Sequence, residues 1–414
     1  MAITILSTTG SIALALLIYS LITLAQNYLR VRPVGLPVLF SPFGRRNPLW
    51  IIAQPYLSPI FLWITHLGGP FKIFNWIEYS TNEWFFYSRY DLHLFHGPVF
   101  FIVSPGGTQL IVADPATADE IQTRRKDFIK NPSFYKPLEI LGPNTVTTNG
   151  DTWARHRRIT TPPFNERNSS LVWRESLVQA GGMLKLWVAN GKGELGGVPN
   201  TPNDTMALAL NVLMAAGFGK RFDFEGGAHA TEPGDAMGVY RDALRIVLGN
   251  LFRAIMTSML MGLPAWAMSK NLLEMKWALK EVDDYISKMV EEELNGQKEK
   301  LSEQDNLMSV LLKASDSGGR NGLGDKEIIG NLFIYNVAGH DTTANTIAYA
   351  VNLLAMDVRL QEWLGEEITS VLGGEESAEK WRYETGFPQL KRCLAVMVRS
   401  NWQLAVHNSQ YFGD

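Results

Sequence analysis

Apolar and hydroxylic residues run unbroken from Ile3 to Ala25, and no charge precedes Arg30. As a helix, a run of that length spans the hydrocarbon core of a bilayer. Arg30, Arg32, Arg45, Arg46 and Lys72 all precede the first acid, Glu78. That bias predicts a single-pass anchor whose carboxyl side faces the cytoplasm. The rival reading, a cleaved signal peptide, calls for a basic segment before the apolar run and a small-residue cleavage site, and neither stands out. Next, Arg32-Pro33-Val34-Gly35-Leu36-Pro37 forbids continued helix and predicts a stiff hinge. Residues 48–66 are apolar again, but Pro48, Pro55 and Pro59 are expected to break them up. They read either as a segment lying on the membrane surface or as a buried hydrophobic turn region.

Farther on the pattern changes period. Val99 to Val103 and Gln109 to Ala113 flank Ser104-Pro105-Gly106-Gly107 and predict a β-hairpin. Asp114-Pro115 reads as an N-cap with proline at the first helical position. Helical spacing then dominates. It predicts helices over Ser169 to Ala189, Thr205 to Ala216, Gly238 to Met268, Leu272 to Gln297, Asp325 to Asp357, Arg359 to Leu372 and Pro388 to Met397. Gln297 to Gly324 is charged and glycine-rich and is expected to be a surface loop. The fold expected is mainly α with a small β-hairpin region, preceded by one transmembrane helix.

The chain has 414 residues, enough for a large core in one domain or two. Its net charge of −3 leaves no basic footprint for a nucleic-acid partner. Apolar residues make up 46% of it, which suits a helical domain around an apolar pocket. The one cysteine, Cys393, excludes an intrachain disulfide framework and leaves one possible thiolate. No zinc-type Cys/His spacing occurs. His93 and His96, three apart near Asp91, read as a metal pair or, more simply, as an exposed loop edge.

Two segments carry candidate chemistry. On the long helix, Tyr335, Ala338, Gly339, Thr342 and Thr346 share a face. Ala338 and Gly339 are small enough for a flat ligand to approach the backbone. Thr342 can bond a carbonyl one turn back and bend the helix. Asp341 beside it completes a set of small residue, acid and hydroxyl, which suits a dioxygen groove with a proton relay. A tightly packed core helix would carry the same letters. The second segment is Asn149-Gly150-Asp151-Thr152-Trp153-Ala154-Arg155-His156-Arg157-Arg158, in which Asp151 or Thr152 is a candidate cap. Trp153 and Arg157, four apart, offer an indole N–H and a guanidinium on one face, donors suited to a buried carboxylate. A basic surface helix with one anchoring tryptophan is the alternative.

Together these segments resemble the cytochrome P450 family. Trp153-x-x-x-Arg157 resembles the family's helix that binds the haem propionates. Ala338-Gly339-His340-Asp341-Thr342-Thr343 resembles its oxygen-binding signature. Ala216-Gly217-Phe218-Gly219 resembles a turn of fungal-type members, and Phe387 to Met397 resembles the run entering the next helix of the family. The resemblance implies a membrane-anchored haem-thiolate monooxygenase of fungal type acting on an apolar small molecule, in secondary metabolism. It further implies an endoplasmic reticulum anchor, a catalytic domain facing the cytoplasm and an NADPH-dependent reductase as partner. Trp153 and Arg157 would hold the haem, Ala338 and Gly339 would make room for oxygen, and Asp341 and Thr342 would pass protons. Phe134, Tyr135 and Phe333 are candidate pocket walls.

The pattern departs from the family at Val398. The family's Glu-x-x-Arg pair and its cysteine-bearing haem loop do not follow, and Glu379-x-x-Arg382 precedes the Phe387-Pro388 landmark. Cys393 stands in another motif and reads as a small buried apolar residue. Neither His340 nor His407 replaces it in the pattern. The organisation expected is therefore an anchor at 3–25, an incomplete domain of this family at 33–397 and an unpatterned tail at 398–414. Val398-Arg399 at the break is what reading through an unspliced intron would give. As written, the chain is expected to be catalytically inactive. The alternative is a non-catalytic, membrane-tethered relic or interaction protein.

Overall fold

The computed structural model describes residues 2–44, 47–66, 80, 84, 90–190, 197–198, 200–224, 236–297, 306–316, 322–373 and 381–398. The tail from 399, which includes His407, and Glu379 lie outside them. The chain divides into two compact units, 1–128 with 403–414, and 129–402.

In the first unit, helix α1 is Ala2–Val31. Within it and the turn that follows, Leu14–Val34 is long and apolar enough to cross a membrane. The helix gives way to a 3-10 turn, Arg32–Val34, which closes on Gly35, as the two prolines require. Helix α2, Pro48–His66, differs from expectation: it runs through Pro55 and Pro59 without a break. Proline removes a helical N–H, so each leaves the carbonyl four residues back without its helical donor. Helix α3 is Asp91–His96. Its His93 and His96 rings pack on Phe100, and no metal-binding cluster occurs among the described residues.

The hairpin forms from β2, Val99–Ser104, and β3, Gly107–Val112, with Phe101 opposite Leu110. A third strand, β1 at Val38–Phe40, pairs in parallel with β2. The hairpin pattern did not announce it, because three residues are too few to show a period. Phe100 and Ile102 point into a core with Trp84 and Leu92. The Asn27 amide at the end of α1 donates to the Ser104 carbonyl at 2.9 Å. Helix α4, Pro115–Thr123, is capped by Asp114 and begins with proline, as its sequence predicts.

The second unit is helical. Its principal helices are α5 at Gly150–Thr160, α6 at Glu166–Asn190, α7 at Thr201–Phe218 and α8 at Ala236–Gly249. They continue with α9 at Leu251–Met259, α10 at Lys270–Gln297, α11 at Leu307–Asp316, α12 at Asp325–Met356 and α13 at Val358–Leu372. Three expectations are corrected. The helix expected over Gly238 to Met268 is two helices, because Asn250 caps the second by accepting from the Arg253 N–H. The loop expected between Gln297 and Gly324 contains α11, whose Leu307, Met308, Leu311 and Leu312 are all buried. The helix expected from Pro388 is a 3-10 turn, Phe387–Gln389, followed by helix over 391–398.

The core of this unit lies where α7, α8, α10, α11 and α12 meet. Met275, Ala278, Leu279, Val282, Ile286 and Met289 form the inner stripe of α10. They pack with Leu210 and Met214 of α7, Leu244 of α8 and Leu332 of α12. Phe333 belongs to this core and is 1% exposed.

Candidate functional site

Along the amino-terminal half of α12, Ile328 and residues 330–334 are all buried. From Tyr335 on one side opens, and Tyr335, Ala338, Gly339, Thr343 and Ile347 border a cavity of about 860 Å³. Across it stand Leu208, Val212, Leu213 and Ala216 of α7 and Val172 and Trp173 of α6. Phe164, in the turn after α5, and Tyr383 and Phe387 complete the apolar wall. A Cβ on Gly339 would meet the Leu213 methyls at 3.3 Å, so the glycine gives the Leu213 side chain of α7 close access to α12 here.

The lining face is shifted from the one read in the sequence. Thr343 and Ile347 take part in it, whereas Thr342 and Thr346 do not. Thr342 is exposed and Asp341 is half-buried. Thr342 Oγ1 donates to the Ala338 carbonyl, and Thr346 Oγ1 donates to the Thr342 carbonyl at 2.8 Å. Both hydroxyls are engaged one turn back, as the sequence predicts for Thr342. The cavity opens to one side of them because α7 crosses α12 at Gly339. Phe134, Tyr135 and Phe333 are not walls of this cavity. Phe134 is exposed and meets Tyr135 edge-on, and Phe333 is spent in the core.

Helix α5 begins after Asn149, not at Asp151 or Thr152, and no side-chain cap holds that end. Asn149 instead exchanges bonds with the Lys130 backbone, at 3.1 Å through Oδ1 and 2.9 Å through Nδ2. Trp153 is half-buried, with Lys130 Nζ 5.9 Å from its ring centre. Lys130 Nζ donates to the Thr145 carbonyl, and burial pulls its pKa down. Arg157 is exposed. Tyr335 of α12 faces the turn that follows α5. Its ring packs on Phe164 at 5.7 Å, and burial pushes its phenol up against the opposing pull of the Thr160 hydroxyl and the Arg157 charge. The structure therefore brings Arg157, Tyr335, Ala338 and Gly339 into one neighbourhood.

A polar cluster that the sequence did not reveal ties α5 to α12. Arg155 grips the Glu327 carboxylate with both terminal nitrogens, at 2.6 and 3.0 Å. His156, fully buried, places Nε2 3.2 Å from Glu327 Oε1 and Nδ1 2.9 Å from Asn331 Nδ2. Burial acts to raise the Glu327 pKa. Hydrogen bonds from Arg155, the Gly324 N–H and His156 outweigh it and hold the group below the usual carboxylate range. A glutamate three residues into a helix after Gly324 was the available signal, but its distant partners were not legible.

The remaining candidates lie elsewhere. His340 faces away from the cavity, buried against Met206 and Arg241, and burial drives its pKa down to about 4 against the pull of Asp341. Cys393 is half-buried, and its backbone N–H donates to Glu367 at 3.0 Å. Burial and the Glu367 carboxylate push its thiol up to about 11. It does not line the cavity.

A helical unit in which a Trp/Arg helix docks on an acid–threonine helix, and that second helix walls a large apolar cavity, matches one class in particular. The family model for cytochrome P450 matches residues 68–393, and the chain belongs to that family. Among curated proteins it is 29% identical over 408 residues to cytochrome P450 monooxygenase ORF6 of Penicillium roqueforti, covering 91% of this chain and 68% of that one. It is 34% identical over 276 residues to cytochrome P450 monooxygenase 124 of Postia placenta, covering 65% of this chain and 51% of that one. A phomenoic acid biosynthesis cluster cytochrome P450 monooxygenase of Leptosphaeria maculans is 29% identical over 394 residues, covering 89% and 65%. A crystal structure of a cytochrome P450 superposes with a TM-score of 0.56 at 16% identity, covering 75% of this chain and 67% of that one, which shows the shared fold. The chain thus spans about two thirds of the length of the first of these relatives. The family implies a haem cofactor.

Proposed function

We propose that this chain carries the propionate-binding and oxygen-side half of a haem monooxygenase that acts on an apolar small molecule in fungal secondary metabolism. The observation that carries the reading is the docking of α5 on α12 through Arg155 and His156 at Glu327 and Asn331, with Ala338 and Gly339 farther along α12 walling a large cavity. The residues present fit haem on that side. Trp153 and Arg157 offer donors to its carboxylates, and the small residues leave the helix backbone open to a flat ring. Bound haem supplies the activation of dioxygen. With haem bound on the open side of α12, Asp341 would be the carboxylate that takes up solvent protons, and Thr342 Oγ1, which lies beside the cavity wall and donates to the Ala338 carbonyl, would turn to pass them to the oxygen. Val172, Val212, Leu213 and Ile347 keep water away and favour an apolar substrate.

The axial ligand does not fit in the same way. Electron donation from a thiolate favours O–O cleavage in this class. The only thiol of these 414 residues is Cys393, which is held protonated by its surroundings and lies off the cavity. The 414 residues by themselves are expected to bind haem without a thiolate spectrum and without turnover. Anchoring by α1 in the endoplasmic reticulum, with electrons from an NADPH-dependent reductase, completes the reading.

Haem titration followed by absorbance tests it. Arg157→Gln and Trp153→Phe should each weaken haem binding roughly tenfold, the scale of one hydrogen bond to a charged group. A folded chain that takes up no haem would favour the non-catalytic, membrane-tethered reading.

A further inference from the structure

We propose that His156 is a positioning residue: held as the neutral Nε2–H tautomer between Asn331 and Glu327, it fixes the rotation of α5 against α12 and so aims Trp153 and Arg157. The inference rests on the reading of those two residues as carboxylate donors and adds what directs them.

The tautomer follows from the partners. Asn331 Oδ1 accepts the Thr145 N–H at 3.0 Å, and Asn331 Nδ2 donates to the Glu327 carbonyl at 2.6 Å. Turning the amide over would break both bonds, so Nδ2 is the atom that faces the imidazole. An amide nitrogen only donates, so His156 Nδ1 must accept. The proton then sits on Nε2, which donates to Glu327 Oε1 at 3.2 Å. Glu327 also meets Arg155 and the Gly324 N–H. The groups facing the ring are thus Glu327, Arg155 and Asn331.

The positioning role follows from where the ring stands. His156 is one residue from Arg157 and three from Trp153, so its direction sets theirs by helical geometry. It is fully buried, whereas Trp153 is half-buried and Arg157 exposed. The buried ring, with partners on α12 at both nitrogens, is better placed than either donor to set the rotation of the helix. The same Asn331 amide holds the loop at Thr145, whose carbonyl receives the Lys130 ammonium that lies over Trp153. One buried amide therefore links the imidazole to the surroundings of both donors.

The test compares haem with haem dimethyl ester, which lacks the charged carboxylates. The full chain in detergent should prefer haem, and His156→Phe should lose most of that preference, several-fold or more. His156→Gln, which keeps a donor toward Glu327, should restore part of it. A merely structural role would weaken both ligands alike and leave their ratio unchanged, and an unchanged ratio in His156→Phe overturns the proposal. A parent chain with no preference would sink the donor reading of Trp153 and Arg157 instead. The lock itself is read without haem, by nitrogen NMR of labelled histidine assigned by loss of the signal in His156→Asn. An Nε2–H pattern supports it, and an imidazolium or Nδ1–H pattern overturns it.

Discussion

At the scale of single residues, contacts with backbone decide more than chemistry does. Gly330 shows this: a Cβ there would lie 2.6 Å from the carbonyl of Gly142 and from that of Pro143. Backbone cannot swing away as a flexible side chain can. Gly330→Ala should cost about 1–3 kcal/mol, read from the denaturant midpoint, by forcing the 142–145 loop off α12. His340 makes the complementary point about charge. Its folded pKa of about 4 lies below the ordinary 6.5, so the unfolded chain takes up the proton first. The stability that neutral His340 contributes is complete above pH 6.5 and is lost as pH falls from 6.5 toward 4. At about 1.4 kcal/mol per pH unit the loss reaches about 3 kcal/mol. His340→Gln should flatten the stability profile across that window by the same amount, and an equal slope in both proteins would exclude this assignment.

At the scale of elements, what matters is which face a helix commits to the core. Helix α10 commits a stripe centred on Leu279, which is 1% exposed. Leu279→Ala should destabilise the second unit by about 2–5 kcal/mol, seen as a lower thermal midpoint, with little effect on α1 and its sheet. Helix α9 depends on a cap. Asn250→Ala removes the acceptor for the Arg253 N–H and should cost about 1 kcal/mol, a loss that Asn250→Asp should largely avoid. Helix α12 has two regimes, a stretch from Ile328 to Asn336 with no exposed residue and a later stretch open along Ala338, Thr342 and Thr343. Its periodicity is weak for that reason. Its length was nevertheless legible, because no proline interrupts Asp325 to Met356.

At the scale of the whole molecule, the two units are built on different principles: one joins a long apolar helix to a small sheet, the other is a helical core beside a cavity. Removing residues 2–20 should move the chain from an alkali-resistant membrane pellet to the soluble fraction, measured by fractionation. Retention in the pellet would show that another surface holds it. The sequence by itself determined the class of fold, the extent of α12, the hairpin, the capped start of α4 and the family, because each depends on local spacing or on a contiguous motif. It did not show α11, whose few buried residues lie in a charged and glycine-rich stretch, or the division at Asn250, which one cap decides. Only the tertiary structure decided the cavity face, turned toward Thr343 by the approach of α7 at Gly339. The same holds for Glu327, His156 and Asn331, which lie up to 175 residues apart and acquire their roles only when α5 is laid against α12. Spacing along a chain records which residues share a helix face, whereas which face meets which is set by packing between elements.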